Sequence, residues 1–240
     1  MNHKMKQSGF SLTEVLMAVG VFAVGMVMVA GVFPVAIHFT NETIECTTAA
    51  VVADEAFAKI KLYDVNMPLM PLITTTSVNF ENVTKYFSII PVNDCQYPSI
   101  NLQSFQVSQL YSWSAICRLI GRPSRTVQVT VFVCKKIGAA SNYQGSLYPK
   151  AVQVTVTGTA PTDELTITGS KTFINDGSTI VDDKTGQIYR VLERYKPPND
   201  AIIKLDRVIA SVPSLVWVIP PTVNGGVYPG IAVFQKTMSF

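Results

Sequence analysis

The chain has 240 residues, 48% of them apolar and 15% charged, with a mean hydropathy of +0.29. That length allows one or two domains with a sizeable core, and the apolar content excludes a disordered chain. A formal net charge of +3 is too small for the broad basic footprint of a nucleic-acid binder. The apolar excess is concentrated near the start, where residues 15–37 make 23 consecutive positions without a charge.

As a helix rising 1.5 Å per residue, that run is about 34 Å long, against a bilayer hydrocarbon core of ~30 Å. It exceeds the apolar region of a secretory signal peptide, and Pro34 interrupts the one place suited to a small-residue cleavage site. Lys4 and Lys6 precede the span, whereas Glu42, Glu45, Asp54 and Glu55 follow it. The positive-inside rule leaves the first nine residues in the cytoplasm and sends everything after Ile37 outside. Glu14 stands at the cytoplasmic edge of the span, where an ionised group is costly and reads by default as functional.

The residues around Glu14 run Lys6-Gln7-Ser8-Gly9-Phe10-Ser11-Leu12-Thr13-Glu14-Val15-Leu16. This run resembles the class III signal of type IV prepilins and type II secretion pseudopilins. It has a short basic leader, Gly9 before the scissile bond, Phe10 after it, and Glu14 at the fifth position of the mature chain. The resemblance implies cleavage between Gly9 and Phe10 by prepilin peptidase, and N-methylation of the new Phe10 amine. It also implies that Glu14 pairs with the amine of a neighbouring subunit when the helix leaves the bilayer for a filament. Further implied partners are other pilin or pseudopilin subunits, an inner-membrane assembly platform, and membrane lipid before assembly. The implied location is the bacterial inner membrane, single-pass, and then a periplasmic or cell-surface filament. Gly20, Gly25 and Gly31 suit close packing of membrane helices as well as they suit lipid.

Beyond the span, residues 38–64 contain no Gly or Pro. Ile37, Ile44 and Val51 recur every seven residues, and Ala53, Ala56, Phe57 and Ile60 form an i, i+3, i+4, i+7 stripe. One continuous helix is expected over about residues 10–64, ended by Met67-Pro68 and Met70-Pro71 because residues before proline avoid helical angles. The chain is thereby divided into a leader at 1–9, a transmembrane helix at 10–38, its amphipathic continuation at 39–66, and an exported β-rich domain at 67–240.

In that domain, short Val/Ile/Thr/Tyr/Phe runs alternate with Gly/Pro/Asn/Asp clusters, which marks strands. The clearest hairpin flanks Gly121-Arg122-Pro123-Ser124, with Trp113, Ala115, Cys117 and Leu119 on one arm and Val127, Val129, Val131 and Val133 on the other. One face of this hairpin is expected to meet the helix stripe. Further strands are expected at 151–158, 164–167, 178–182 and 187–194, then at 202–210, 215–219 and 231–235. Fold class is α+β, a long helix on an antiparallel sheet, which is also the architecture the pilin resemblance implies.

Candidate chemistry is sparse. The two histidines are His3 and His38, so the exported domain carries no Ser-His-Asp or Cys-His arrangement. No phosphate-binding, dinucleotide-binding or metalloprotease motif is present. The reading is a structural subunit rather than an enzyme, with no cofactor. Asp176, Asp182 and Asp183 are the candidate oxygen ligands for calcium, although Asp-Gly and Lys-Thr-Gly are also ordinary turn chemistry. Cys95, Cys117 and Cys134 are candidates for disulfides outside the cytoplasm, with Cys46 on the helix buried against the sheet. Residues 95–162 hold six cations and no acid, which reads first as a solvated turn with scattered charges and otherwise as a basic face that docks on an acidic face of the next subunit, with nucleic acid disfavoured. The alternative to a filament subunit is a single-pass anchored β domain that binds a ligand or partner.

Overall fold

The computed structural model describes residues 9–63, 80–83, 90–98, 110–121, 126–137, 143, 148–223 and 228–240. The leader lysines Lys4 and Lys6, the 67–71 helix breakers and the Arg122-Pro123-Ser124 turn lie outside the described residues. The chain divides into two compact units, residues 1–45 and residues 46–240.

The first unit is the N-terminal part of helix α1 (Leu12–Leu62). From Val15 to Ile37 its side chains are apolar around the whole circumference, and from Leu12 to Phe39 they are exposed throughout. An 18-residue window within α1 reaches a mean hydropathy of 2.5 with no residue buried, so the helix is long and apolar enough to cross a membrane. Two hydroxyls at its far end are satisfied within the helix: Thr40 Oγ1 donates to Ala36 O and Thr43 Oγ1 to Phe39 O, both at 2.8 Å. That back-bonding leaves no hydroxyl donor unpaired at the edge of the apolar segment.

In the second unit, α1 buries Ala49, Val52, Ala53, Ala56, Phe57 and Ile60, the i, i+3, i+4 pattern of a helix resting on a surface. The predicted Ala53–Ile60 stripe is the buried one. Ile37, Ile44 and Val51 are about half exposed instead, because Val51 lies 100° around the helix from Val52 and so falls off the seam. Alanine at three of the six contact positions keeps the helix axis close to the sheet.

That sheet has five strands: β1 (Glu81–Asn82), β2 (Gln96–Tyr97), β3 (Tyr111–Gly121), β4 (Thr126–Lys135) and β11 (Gly230–Ser239). The order is β1-β3-β4-β11, with β2 also on β3, and all pairings are antiparallel. The β3–β4 hairpin is where the sequence puts it. Trp113, Ala115, Cys117, Leu119 and the four valines of β4 pack with the helix stripe into one core. A short 3-10 turn, Val92–Cys95, ties the helix down: Asp94 O accepts from Lys59 Nζ at 2.8 Å and from Trp113 Nε1 at 3.1 Å.

The α+β arrangement holds, and the strands are shared out in two ways. First, β5 (Val152–Thr157), β6 (Thr162–Ile167), β7 (Thr179–Asp182), β8 (Ile188–Arg194), β9 (Ile202–Ile209) and β10 (Leu215–Val218) close into a barrel of their own, ordered β10-β5-β6-β9-β8-β7. Its interior is filled by Val154, Val156, Leu165, Ile180, Val191, Ile203, Leu205 and their neighbours. Second, the last strand, β11, belongs to the five-stranded sheet. It is ten residues long and pairs with β4 from Gly230↔Cys134 to Ser239↔Thr126, so the barrel is inserted between two neighbouring strands of the first sheet.

The hairpin therefore has no solvent face. Ile116, Phe132 and Cys134, on the side away from the helix, pack with Phe80, Val181, Trp217 and Ile219 into a third core. Period-2 alternation explains how β7 and β10 serve two cores. Ile180, Val216 and Val218 point into the barrel, whereas Val181 and Trp217 point at the sheet.

The 182–187 turn between β7 and β8 fastens barrel to sheet. Phe80 N donates to Asp183 O at 3.0 Å, Gln235 Nε2 to Gly186 O at 3.1 Å, and Arg118 Nη2 to Thr185 O at 3.2 Å, with Arg118 Nη1 bonding Lys184 O beside it. Gly186 has φ +73°, and an added Cβ would stand 2.7 Å from Phe80 Cζ. Both the backbone angle and the space demand glycine there.

Candidate processing and assembly site

Gly9 and Phe10 are exposed and precede the helix, so the bond between them is in non-helical backbone that a protease can engage. A Cβ on Gly9 would meet nothing within 4 Å. The chain's own fold does not require glycine at that position, so any requirement lies with whatever grips the bond. The same open space surrounds Gly20, Gly25 and Gly31.

Ser11 sets where the helix begins. Glu14 N donates to Ser11 Oγ at 3.3 Å and to Ser11 O at 3.1 Å, which makes Ser11 the N-cap and Glu14 the third helical residue. The Ser-x-x-Glu spacing is that of a capping box, a sequence feature that could have revealed this role and did not enter the reading above. Glu14 is exposed, and its place in the first turn puts a carboxylate at the positive end of the helix dipole. Cap, candidate cleavage bond and carboxylate thus occupy six consecutive residues directly before the apolar span.

The other candidate sites resolve into structural roles. Asp176 Oδ1 accepts from Arg194 N at 2.6 Å. Asp182 accepts from Lys184 N at 2.8 Å and from Thr185 Oγ1 at 2.5 Å, closing its own turn. Asp183 is buried, with Oδ1 accepting from Trp217 Nε1 at 2.6 Å and Gln153 Nε2 at 3.2 Å, while Oδ2 has no partner. Burial pushes the Asp183 carboxyl above the ordinary range, partly offset by those two donors. Among the described residues no group of three or more His, Cys, Asp or Glu side chains is placed to hold a metal ion.

Of the two alternatives open for Cys95, Cys117 and Cys134, disulfide or free thiol, the structure has the free thiol, and Cys46 is free as well. Register keeps Cys117 and Cys134 apart. Cys134 lies opposite Ser112, five residues along β3 from Cys117, an odd interval that puts Cys117 on the helix side and Cys134 on the barrel side. Cys46 is exposed rather than buried against the sheet. The basic face is also partly spent internally: Arg118 lies 4.9 Å over the Phe80 ring and bonds Gln128 and the 182–187 turn. Arg122 and Arg125 lie outside the described residues.

Residues 4–30 match the family model described as the prokaryotic N-terminal methylation motif. Comparison with curated proteins and with solved structures finds no match. The matched segment spans the leader lysines, Gly9, Phe10, Glu14 and the first half of the apolar run, so this chain carries a prepilin-type signal like that of type IV pilins and pseudopilins.

Proposed function

We propose that the chain is a structural subunit, a minor pilin or type II secretion pseudopilin, cut by prepilin peptidase and assembled through its N-terminal helix. The observation that carries this reading is the coincidence of the methylation motif at residues 4–30 with a helix capped at Ser11 and apolar on every side. Prepilin peptidase would hydrolyse the Gly9–Phe10 bond, and the Phe10 amine would then be methylated. Removal of Lys4 and Lys6 leaves 17 cations against 16 acids, so most of the formal charge belongs to the topology signal.

Once out of the bilayer, an exposed apolar helix has one way to hide its surface, which is to pack against copies of the same kind of helix. In that low-dielectric bundle an unpaired Glu14 is expensive, and the methylated amine of a neighbour is the available partner. The subunit is read as non-enzymatic and cofactor-free, held in the inner membrane with residues 46–240 outside the cytoplasm before assembly.

Co-expression with a prepilin peptidase tests this directly by intact mass. The expected product lacks nine residues and carries one added methyl group at Phe10. Gly9→Val should block the cut without disturbing the fold, since its side chain meets nothing. A full-length, unmethylated product from the unaltered chain overturns the reading in favour of a permanent anchor. Glu14→Val should still insert and be cut, but should lose incorporation into filaments. Normal incorporation would remove Glu14 from the assembly role.

A further inference from the structure

The barrel closes on itself and has no edge, so the free strand edges of the described residues belong to the five-stranded sheet. On one side that sheet ends in β1 and β2, two residues each. On the other it ends in β11, ten residues paired along their whole length to β4 and, among the described residues, to no strand beyond. Ten residues of open edge, about 33 Å at 3.3 Å per residue, form a row of backbone donors and acceptors that can template another strand.

Soluble proteins usually blunt such an edge by shortening, bulging or covering it. Here the irregularity in the ladder is confined to the start of β11, between Gly230 and Ala232. The C-terminal half instead borders a groove of about 370 Å³ between the edge and helix α1, lined by Asp54, Phe57, Ala58 and Lys61 from the helix and by 236–239 from the strand. Its floor is apolar, from Phe57 and Met238. Lys236 lies with Nζ 5.8 Å over the Phe57 ring, along the groove wall. With Lys61 opposite and a single acid, Asp54, the groove is net positive.

We infer that β11 is a strand-addition site for an extended acidic segment of a partner protein. The segment would run along the β11 edge, place small apolar side chains over Phe57 and Met238, and bring carboxylates to Lys236 and Lys61. The charge argues against a second copy of β11 as the occupant, because that strand carries one lysine and no acid and self-pairing would only add positive charge to the edge. This site is independent of how the N-terminus is processed.

The probe is a fluorescein-labelled ten-residue peptide alternating valine and glutamate, titrated into the full chain in detergent and followed by anisotropy. Saturable binding is expected, with no binding of the counterpart in which every glutamate is lysine. Lys236→Glu should weaken binding at least tenfold, whereas Lys196→Glu, an exposed lysine in the barrel, should leave it unchanged. Amide hydrogen exchange should slow at least tenfold within 230–239 on binding and stay constant within 152–218. The inference is overturned by equal binding of both peptides, by indifference to Lys236→Glu, or by protection elsewhere than β11. Self-association of the unaltered chain through β11 would also overturn it.

Discussion

Two glycines with nearly the same backbone angle allow the barrel–sheet junction to be weighed. Gly177 has φ +77° and Gly186 φ +73°. A Cβ at Gly177 enters open space, whereas one at Gly186 meets Phe80 Cζ at 2.7 Å, Phe80 Cε2 at 2.8 Å and Gln235 Nε2 at 2.9 Å. Alanine at either site incurs the left-handed penalty of roughly 1–2 kcal/mol, offset by ~0.4–1 kcal/mol from the stiffer unfolded chain. These two terms cancel between the variants. The remainder is the clash with Phe80, a fully buried ring in the third core that has nowhere to retreat, and overpacking of that kind costs roughly 1–3 kcal/mol. Gly177→Ala should therefore destabilise by about 1 kcal/mol and Gly186→Ala by ~2–4 kcal/mol. Denaturant unfolding of the full chain in detergent, followed by the fluorescence of Trp113 and Trp217, measures both, since each indole is buried in one of the cores concerned. Equal losses for the two variants would refute the claim that the 182–187 turn is wedged against a rigid Phe80.

Asp183 gives a pH-dependent expectation. Burial raises its folded-state pKa above the unfolded value, so the folded state binds the proton more tightly and stability falls as pH rises from the unfolded pKa through the folded one. Asp183→Asn keeps an acceptor for Trp217 while removing the charge. It should flatten that fall, read from denaturation midpoints across pH 3–8; an unchanged profile would count against a buried, partner-poor carboxylate. Alkylation should grade the thiols by environment. Exposed Cys46 reacts first and Cys95, pushed up to about 11 by burial, reacts slowly. Cys117 and Cys134, pushed higher still, react only on unfolding. A Cys117–Cys134 disulfide in the oxidised native chain would contradict the strand register.

The helix and its signal were legible because their information is local. Lys4 to Glu14 fall within eleven positions, an uncharged run of 23 residues needs no partner to be recognised, and Ala53, Ala56, Phe57 and Ile60 repeat at the spacing of a single helix. The β3–β4 hairpin was legible for the same reason, its arms being joined by a short turn. Individual strands in the barrel were also placed within a few residues by alternation and turn residues. Asp182 and Asp183 carry two sequence readings, candidate calcium oxygens and ordinary turn chemistry, which local sequence does not separate. Asp182 closes its turn on its neighbours Lys184 and Thr185, whereas the burial of Asp183 depends on Trp217, Gln153 and Phe80, which are far from it in sequence.

What the sequence by itself determined is thus the α+β class, the membrane-capable helix, the prepilin-type N-terminus and the list of strands. Tertiary structure alone decided how those strands are shared out. Whether β10 returns to β5 to close a barrel, and whether β11 pairs with β4 or with β9, turns on contacts spanning 60 to more than 100 residues. Alternation assigns each strand two faces without saying what covers either one. Closure leaves the barrel without an edge, and among the described residues β11 is left as the long open one, a consequence of topology rather than of any motif.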